Sequence, residues 1–164
     1  MSRANVFQPE FDADMEQAGF VRRRAGVGRQ AGARDLGATL HVLEPGQTPH
    51  PYHLHLGNEE LLVLLSGRLT LRTPAGTKEL EPGDVVSFPV GGEGAHQVTG
   101  SGNEPAHFLM VSEMNGPDVV AYPDSRKVAV REEAPAPIPG TGLRLAFRED
   151  DAVDYFEGET APDR

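Results

Sequence analysis

At 164 residues, with no cysteine and a formal net charge of −10, the chain has the length of one domain and lacks a disulfide framework, a thiolate zinc site and a thiol nucleophile. Its charge argues against nucleic acid or an anionic membrane surface as the main partner. The N-terminus has no apolar h-region, and the longest apolar run, Leu61 to Leu65, falls far short of a membrane span, so a soluble, cytoplasmic protein is expected.

The 19 glycines and 14 prolines favour many short strands joined by tight turns. Residues 1–35 read as an N-terminal arm. It contains one short helical candidate, Asp12 to Ala18, with Gly19 placed to stop it. Arg22, Arg23 and Arg24 follow, then a loop-like run from Gly26 to Gly37 with Arg29 and Arg34. Six of the 15 basic residues thus fall within the first 34 positions. The segment reads as a solvated arm or as an anion-binding or subunit-contact segment. Gly26, Gly28 and Ala31 spell G-x-G-x-x-A, but no apolar strand precedes them and no helix pattern follows, so a dinucleotide site is rejected.

From Gly37 the texture is that of strands. Ala38 to Leu43 ends in the turn chemistry of Glu44-Pro45-Gly46. Glu60 to Leu65, Arg68 to Arg72, a short return strand at Leu80, Val85 to Phe88, His96 to Thr99 and Ala106 to Val111 follow, separated by Gly- and Pro-rich connections. Such a series reads as a barrel or sandwich. In the strand from Glu60, Leu62 and Leu64 share the inward face, while Leu61, Val63 and Leu65 make the other face apolar too. Both faces then need cover, from a second sheet, a terminal segment or a partner subunit. Beyond Val111, Val119 to Tyr122 and Val128 to Val130 are strand candidates around Pro123-Asp124-Ser125. Glu132 to Pro139 reads as a stiff linker, Leu143 to Phe147 as an edge strand, and Tyr155 and Phe156 as anchors onto the body of the protein.

The chemistry concentrates between Gly46 and Gly67. His53 and His55 are two apart, so on a strand both imidazoles project from one face. Glu60 lies an odd number of residues further on, but Gly57 and Asn58 suit a turn that brings it back. Two imidazoles and a carboxylate can then converge as metal ligands, with His96 a fourth candidate from a later strand. Glu59 is a rival to Glu60. His41, His50 and His107 read as structural or surface residues, although His50 is close enough to line the mouth of such a site.

This spacing resembles the cupin superfamily. Its first motif runs Gly, H-x-H, three or four residues, Glu, six residues, Gly. His53, His55, Glu60 and Gly67 match it, with one residue more than usual between Gly46 and His53. For the second motif Gly83, Pro89 and Gly91 match, but four residues rather than two precede His96, and Gly100 stands where Asn is usual. The resemblance covers residues 36–112, leaving 113–164 as a C-terminal extension packed on the barrel. The stretches around Tyr122 and Tyr155 also look like those of a largely uncharacterised group of small single-domain cupins (cupin 2 conserved-barrel type).

The resemblance implies an all-β double-stranded β-helix, or jelly roll, in which His53, His55, Glu60 and His96 bind one divalent transition metal. By ligand type that metal is iron, manganese, nickel or zinc, in an open site with positions left for water or substrate. Leu62, Leu64, Val98 and His50 are the expected pocket residues. The reading that leads is a metal-dependent enzyme on a small oxygenated molecule, of dioxygenase, isomerase or decarboxylase type, and no catalytic acid or base stands out. A non-catalytic small-molecule binder or sensor and a structural, storage-type cupin are the alternatives. Cupins commonly dimerise through sheet faces and exchanged N-terminal strands, so a homodimer is expected.

Overall fold

The computed structural model describes residues 2–132 and 142–162. Of the expected linker, residues 133–139 lie outside the described residues.

The N-terminal region forms a hairpin rather than a helix. β1 (Met15–Gln17) pairs with β2 (Phe20–Ala25) through Ala18 and Gly19. Both turn residues have positive φ, 52° and 81°, the backbone of a two-residue hairpin turn whose twist matches the strands it joins. A seven-residue, Asp-rich helix would face the full nucleation cost with few hydrogen bonds to offset it, whereas β2 gains a ladder to β3 (Leu36–Leu43). Asp12 joins the same arrangement: its N–H donates to the Arg24 carbonyl, and its carboxylate faces Arg24 and Arg29. The arginine run is therefore a strand in a sheet. A one-turn helix, α1 (Val27–Gln30), does follow Gly26, but β2 and β3 on either side of it are antiparallel, so the dinucleotide unit is absent here.

The remaining elements are β4 (Leu54–His55), β5 (Glu60–Ser66), β6 (Arg68–Thr73), β7 (Gly76–Leu80), β8 (Val85–Phe88), β9 (Gln97–Ser101), β10 (Ala106–Glu113), β11 (Asp118–Tyr122), β12 (Lys127–Arg131) and β13 (Arg144–Arg148). All the pairings are antiparallel. They form a six-stranded sheet in the order β1-β2-β3-β10-β5-β8, a four-stranded sheet β13-β12-β11-β4 and a three-stranded sheet β7-β6-β9. The architecture is the double-stranded β-helix.

Inside it, Leu43, Leu62, Leu64, Leu69, Leu71, Phe88, Val98 and Phe108 form one buried cluster. β5 alternates as its sequence predicts, with Glu60, Leu62 and Leu64 inward. Its outer face is covered in part by a terminal segment: Leu65 packs with Leu40, Leu109, Ala4 and Val6. The turn into β6 depends on Gly67, whose φ is +77° and whose absent side chain makes room for Pro105 and Ala106. A Cβ there meets the Ala106 Cα at 2.6 Å, so no other residue fits without moving the strand. Near the C-terminus Tyr155 and Phe156 pack edge to face on each other but are 86 % and 71 % exposed. At that exposure they do not anchor the segment onto the described body of the chain. No helix among the described residues is long and apolar enough to cross a membrane.

Candidate metal centre

Two strand pairings and one locked turn assemble the centre. His53 and His96 face each other in an antiparallel bridge, each N–H donating to the other's carbonyl at 3.1 and 2.8 Å. His55 lies in β4 beside Val120 of β11. Between His55 and Glu60 the chain bends at Gly57 and Asn58, and Asn58 fixes the bend. Its amide donates to the Asn115 carbonyl at 3.1 Å and its carbonyl accepts from the Asn115 N–H at 2.8 Å. Glu60 then begins β5 with its side chain inward. Glu59 points outward and accepts from Ser87 at 2.7 Å.

His53, Glu60 and His96 place one donor atom each within 4.8 Å of one another. Nε2 of both His55 and His96 lies 3.5 Å from the same Glu60 oxygen, Oε2. The other ring nitrogens are occupied: Nδ1 of His53 meets the Pro51 carbonyl at 2.9 Å, Nδ1 of His96 the Gly94 carbonyl at 2.9 Å, and Nδ1 of His55 the Asp118 carboxylate at 2.6 Å. A carbonyl or carboxylate only accepts, so each Nδ1 carries the proton and donates it, leaving Nε2 to act as the ligand atom. Glu60 Oε2 is buried and has no hydrogen-bond partner among the described residues, although such atoms are ordinarily paired. An orphaned carboxylate oxygen beside inward-turned imidazoles fits a divalent cation of the first transition row.

The four-residue segment before His96, two residues longer than usual, does not displace it. Gly92–Gly94 folds into a single 3₁₀ turn, and the Gly94 carbonyl is the one that receives the His96 proton. Gly94 has to be glycine, because a Cβ would run into the Pro89 carbonyl. Phe88 stacks on the His96 ring at 3.8 Å between centroids and holds its plane.

Burial sets the charge states. It drives the His53 imidazole down to about 3 and His96 down to about 4, with neighbouring histidines adding to the effect. It also raises the Glu60 carboxyl, and the Asp118 charge adds to this. Burial alone would lower His55, but the Asp118 hydrogen bond and the charges of Glu60 and Asp118 outweigh it and raise the imidazole. The converse holds for Asp118, which burial would raise and His55 holds below the usual carboxylate range.

A pH dependence follows for the metal-free protein. His41, buried beside Arg24 and Arg22, is also pushed down to about 3. His41, His53 and His96 are therefore neutral in the fold at pH values where the unfolded chain already binds protons. Their contribution is complete above about pH 6.5 and is lost as pH falls, at up to about 1.4 kcal/mol per pH unit for each histidine. Urea melts of chelator-treated protein should show the midpoint dropping steeply from about pH 6.5 to about pH 4. A flat profile over that range contradicts this account.

The centre opens into a cavity of about 320 Å³, the size of a small-molecule site. Of the residues expected to line it, Val98 and His50 are on its wall. Leu62 and Leu64 are not; they are 0 % and 1 % exposed within the apolar core. Alternation carries them to the interior, but past Glu60 the barrel is filled by Phe88, Phe108 and the leucines of β6, leaving no space beside them. Residues without a sequence signal take their place, including His41, Phe108, Tyr122 and Arg131. Asp118, the partner of His55, also had no signal, since the two are 63 positions apart and meet only through the β4–β11 pairing.

Comparison with solved structures gives the same architecture. A protein of Acidithiobacillus ferrooxidans proposed to be a sugar phosphate isomerase is 29 % identical, with a TM-score of 0.76 over 90 % of this chain and 88 % of that one. A cupin-superfamily sugar phosphate isomerase of Silicibacter pomeroyi is 23 % identical, with a TM-score of 0.77 over 92 % of this chain and 94 % of that one. The polyketide cyclase RemF of Streptomyces resistomycificus is 22 % identical, with a TM-score of 0.57 over 69 % and 79 % of the two chains. No curated protein matches. The cupin domain family matches residues 39–112, the segment that carries every histidine and glutamate of the centre.

Proposed function

We propose that this cupin is a metal-dependent enzyme that isomerises a phosphorylated sugar or a closely related hydroxy-carbonyl compound. The observation that carries the proposal is that His53, Glu60 and His96 turn donor atoms to within 4.8 Å of one another, with His55 Nε2 3.5 Å from Glu60, on the wall of an open cavity. A structural metal site closes its coordination shell with protein ligands, whereas a catalytic one keeps a side open to substrate. The likeness to the Acidithiobacillus protein over nine-tenths of the chain supports the choice of isomerisation. That reaction moves a hydrogen between adjacent carbons and needs no co-reactant.

The four side chains would hold the ion, and the ion when bound supplies Lewis acidity to a carbonyl and its neighbouring hydroxyl. The chain's own part is to bind, orient and exclude water. Phe88 and Phe108 back the site with apolar surface, and Tyr122 lies over His53 with ring centroids 6.2 Å apart. No side chain on the wall is assigned as general acid or base. The test loads the purified protein with manganese, zinc, nickel or iron, measures metal content, and follows aldose and ketose phosphates by NMR. Interconversion that requires metal is expected. Full metal occupancy with no interconversion across the panel would overturn the isomerase reading and favour a binding barrel.

A further inference from the structure

The protein is strongly acidic, yet the cavity wall is basic. Arg22, Arg24, Arg29, Arg34 and Arg131 line it, and the one carboxylate among its lining residues is Glu60, which belongs to the metal centre. Arg22 and Arg24 are two apart on β2 and so share a face; Arg23 between them turns away and lies over the Phe11 ring at 4.8 Å. β2 pairs with β3 so that Arg24 sits opposite His41. Arg131 comes from a different sheet, on β12, and its guanidinium donates to the Tyr122 hydroxyl at 3.4 Å. Two sheets thus deliver cations to one space.

These cations are incompletely neutralised. Asp12 faces Arg24 at 3.6 Å and Arg29 at 3.0 Å. Arg22 and Arg131 form no ion pair among the described residues. Arg22 donates to the Met15 sulfur at 2.7 Å, a weak acceptor, and its buried Nε has no partner among the described residues. His41 is 4 % exposed, stacks on Phe108 at 5.0 Å, and its Nδ1 likewise has no partner among the described residues. A buried guanidinium N–H without an acceptor is costly, and like charges gathered in a low-dielectric wall add to that cost. An anion relieves both.

We propose that Arg22, Arg24 and Arg131, with His41, form a subsite for a phosphate monoester on the wall of the cavity. Two unpaired guanidiniums match the charge of about −1.5 to −2 that a phosphate monoester carries near neutral pH, and their planar forks suit its equatorial oxygens. The substrate's phosphate would then fix which end of the molecule reaches the metal centre. The identity of the whole substrate rests on the isomerase reading; the binding of the phosphate group does not.

The test is calorimetric titration of chelator-treated protein with inorganic phosphate, beside acetate as a singly charged control. Arg22→Gln and Arg131→Gln are compared with Arg23→Gln, which alters the same strand on its other face. Phosphate should bind wild type and Arg23→Gln alike, and Arg22→Gln and Arg131→Gln about tenfold or more weaker, with thermal unfolding confirming that each variant is folded. Phosphate that does not bind, or binds all four proteins equally, would overturn the subsite, as would acetate binding as tightly as phosphate. Phosphate binding of the expected pattern without any sugar phosphate turnover would leave the subsite standing and remove the isomerase reading. Turnover with KM unchanged in Arg22→Gln and Arg131→Gln would do the reverse.

Discussion

Glu60→Gln should have opposite effects with and without metal. In the metal-free protein the Glu60 carboxyl is buried, its Oε2 has no partner, and burial raises its pKa. Removing that charge while keeping the shape relieves a penalty, so the metal-free variant should melt at or above the wild-type temperature. With metal present the order reverses. A ligand that binds only the folded state at 100 times its Kd stabilises by about 2.7 kcal/mol. In a domain of this size each kcal/mol moves Tm by about 2–4 °C, so metal should raise the wild-type midpoint by roughly 5–11 °C. The variant should gain almost nothing and purify with little metal. Calorimetry with and without added metal, alongside elemental analysis, reads both signs at once. Equal metal-induced shifts in the two proteins would show that Glu60 is not a ligand.

Asp118→Ala should weaken metal binding by about 10–100-fold although Asp118 is not itself placed among the ligands. Its carboxylate is fully buried and accepts the Nδ1 proton of His55 at 2.6 Å. That bond sets the tautomer, aims Nε2 at Glu60 and makes the imidazole more basic, which is why His55 is raised while His53 and His96 are lowered. Alanine removes all three effects and leaves a buried N–H unsatisfied. Asparagine keeps a carbonyl acceptor and should recover part of the affinity. Chelator-competition titrations of the three proteins test this ranking. An Asp118→Ala protein with wild-type affinity would mean that His55 is either held by something else or not engaged.

How far the centre is readable from sequence varies residue by residue. His53 and His55 are legible because a period of two is a local property of extended chain, and Glu60 because Gly57 and Asn58 mark a bend. The apolar alternation of β5 predicts which side chains face inward, and Glu60, Leu62 and Leu64 do. It does not say where a barrel stops being packed and starts being hollow, and so Leu62 and Leu64 sit in the core while His41 and Phe108 take the cavity wall. The Asp12 to Ala18 stretch misleads for a similar reason. Its local preference for helix is weak, and the ladder that β2 makes with β3, which pairs Arg23 with Val42 and Ala25 with Leu40, decides the outcome.

Sequence alone establishes an all-β chain of short strands, which follows from short-range periodicity and turn chemistry, and a histidine- and glutamate-bearing stretch within the segment that matches the cupin domain family. Tertiary structure alone decided the rest. The partner of His55 is set by the pairing of β4 with β11, and the basic wall by bringing Arg22 and Arg24 on one sheet to face the cavity with Arg131 from another. Each of these depends on strand register between distant segments, which no local pattern encodes.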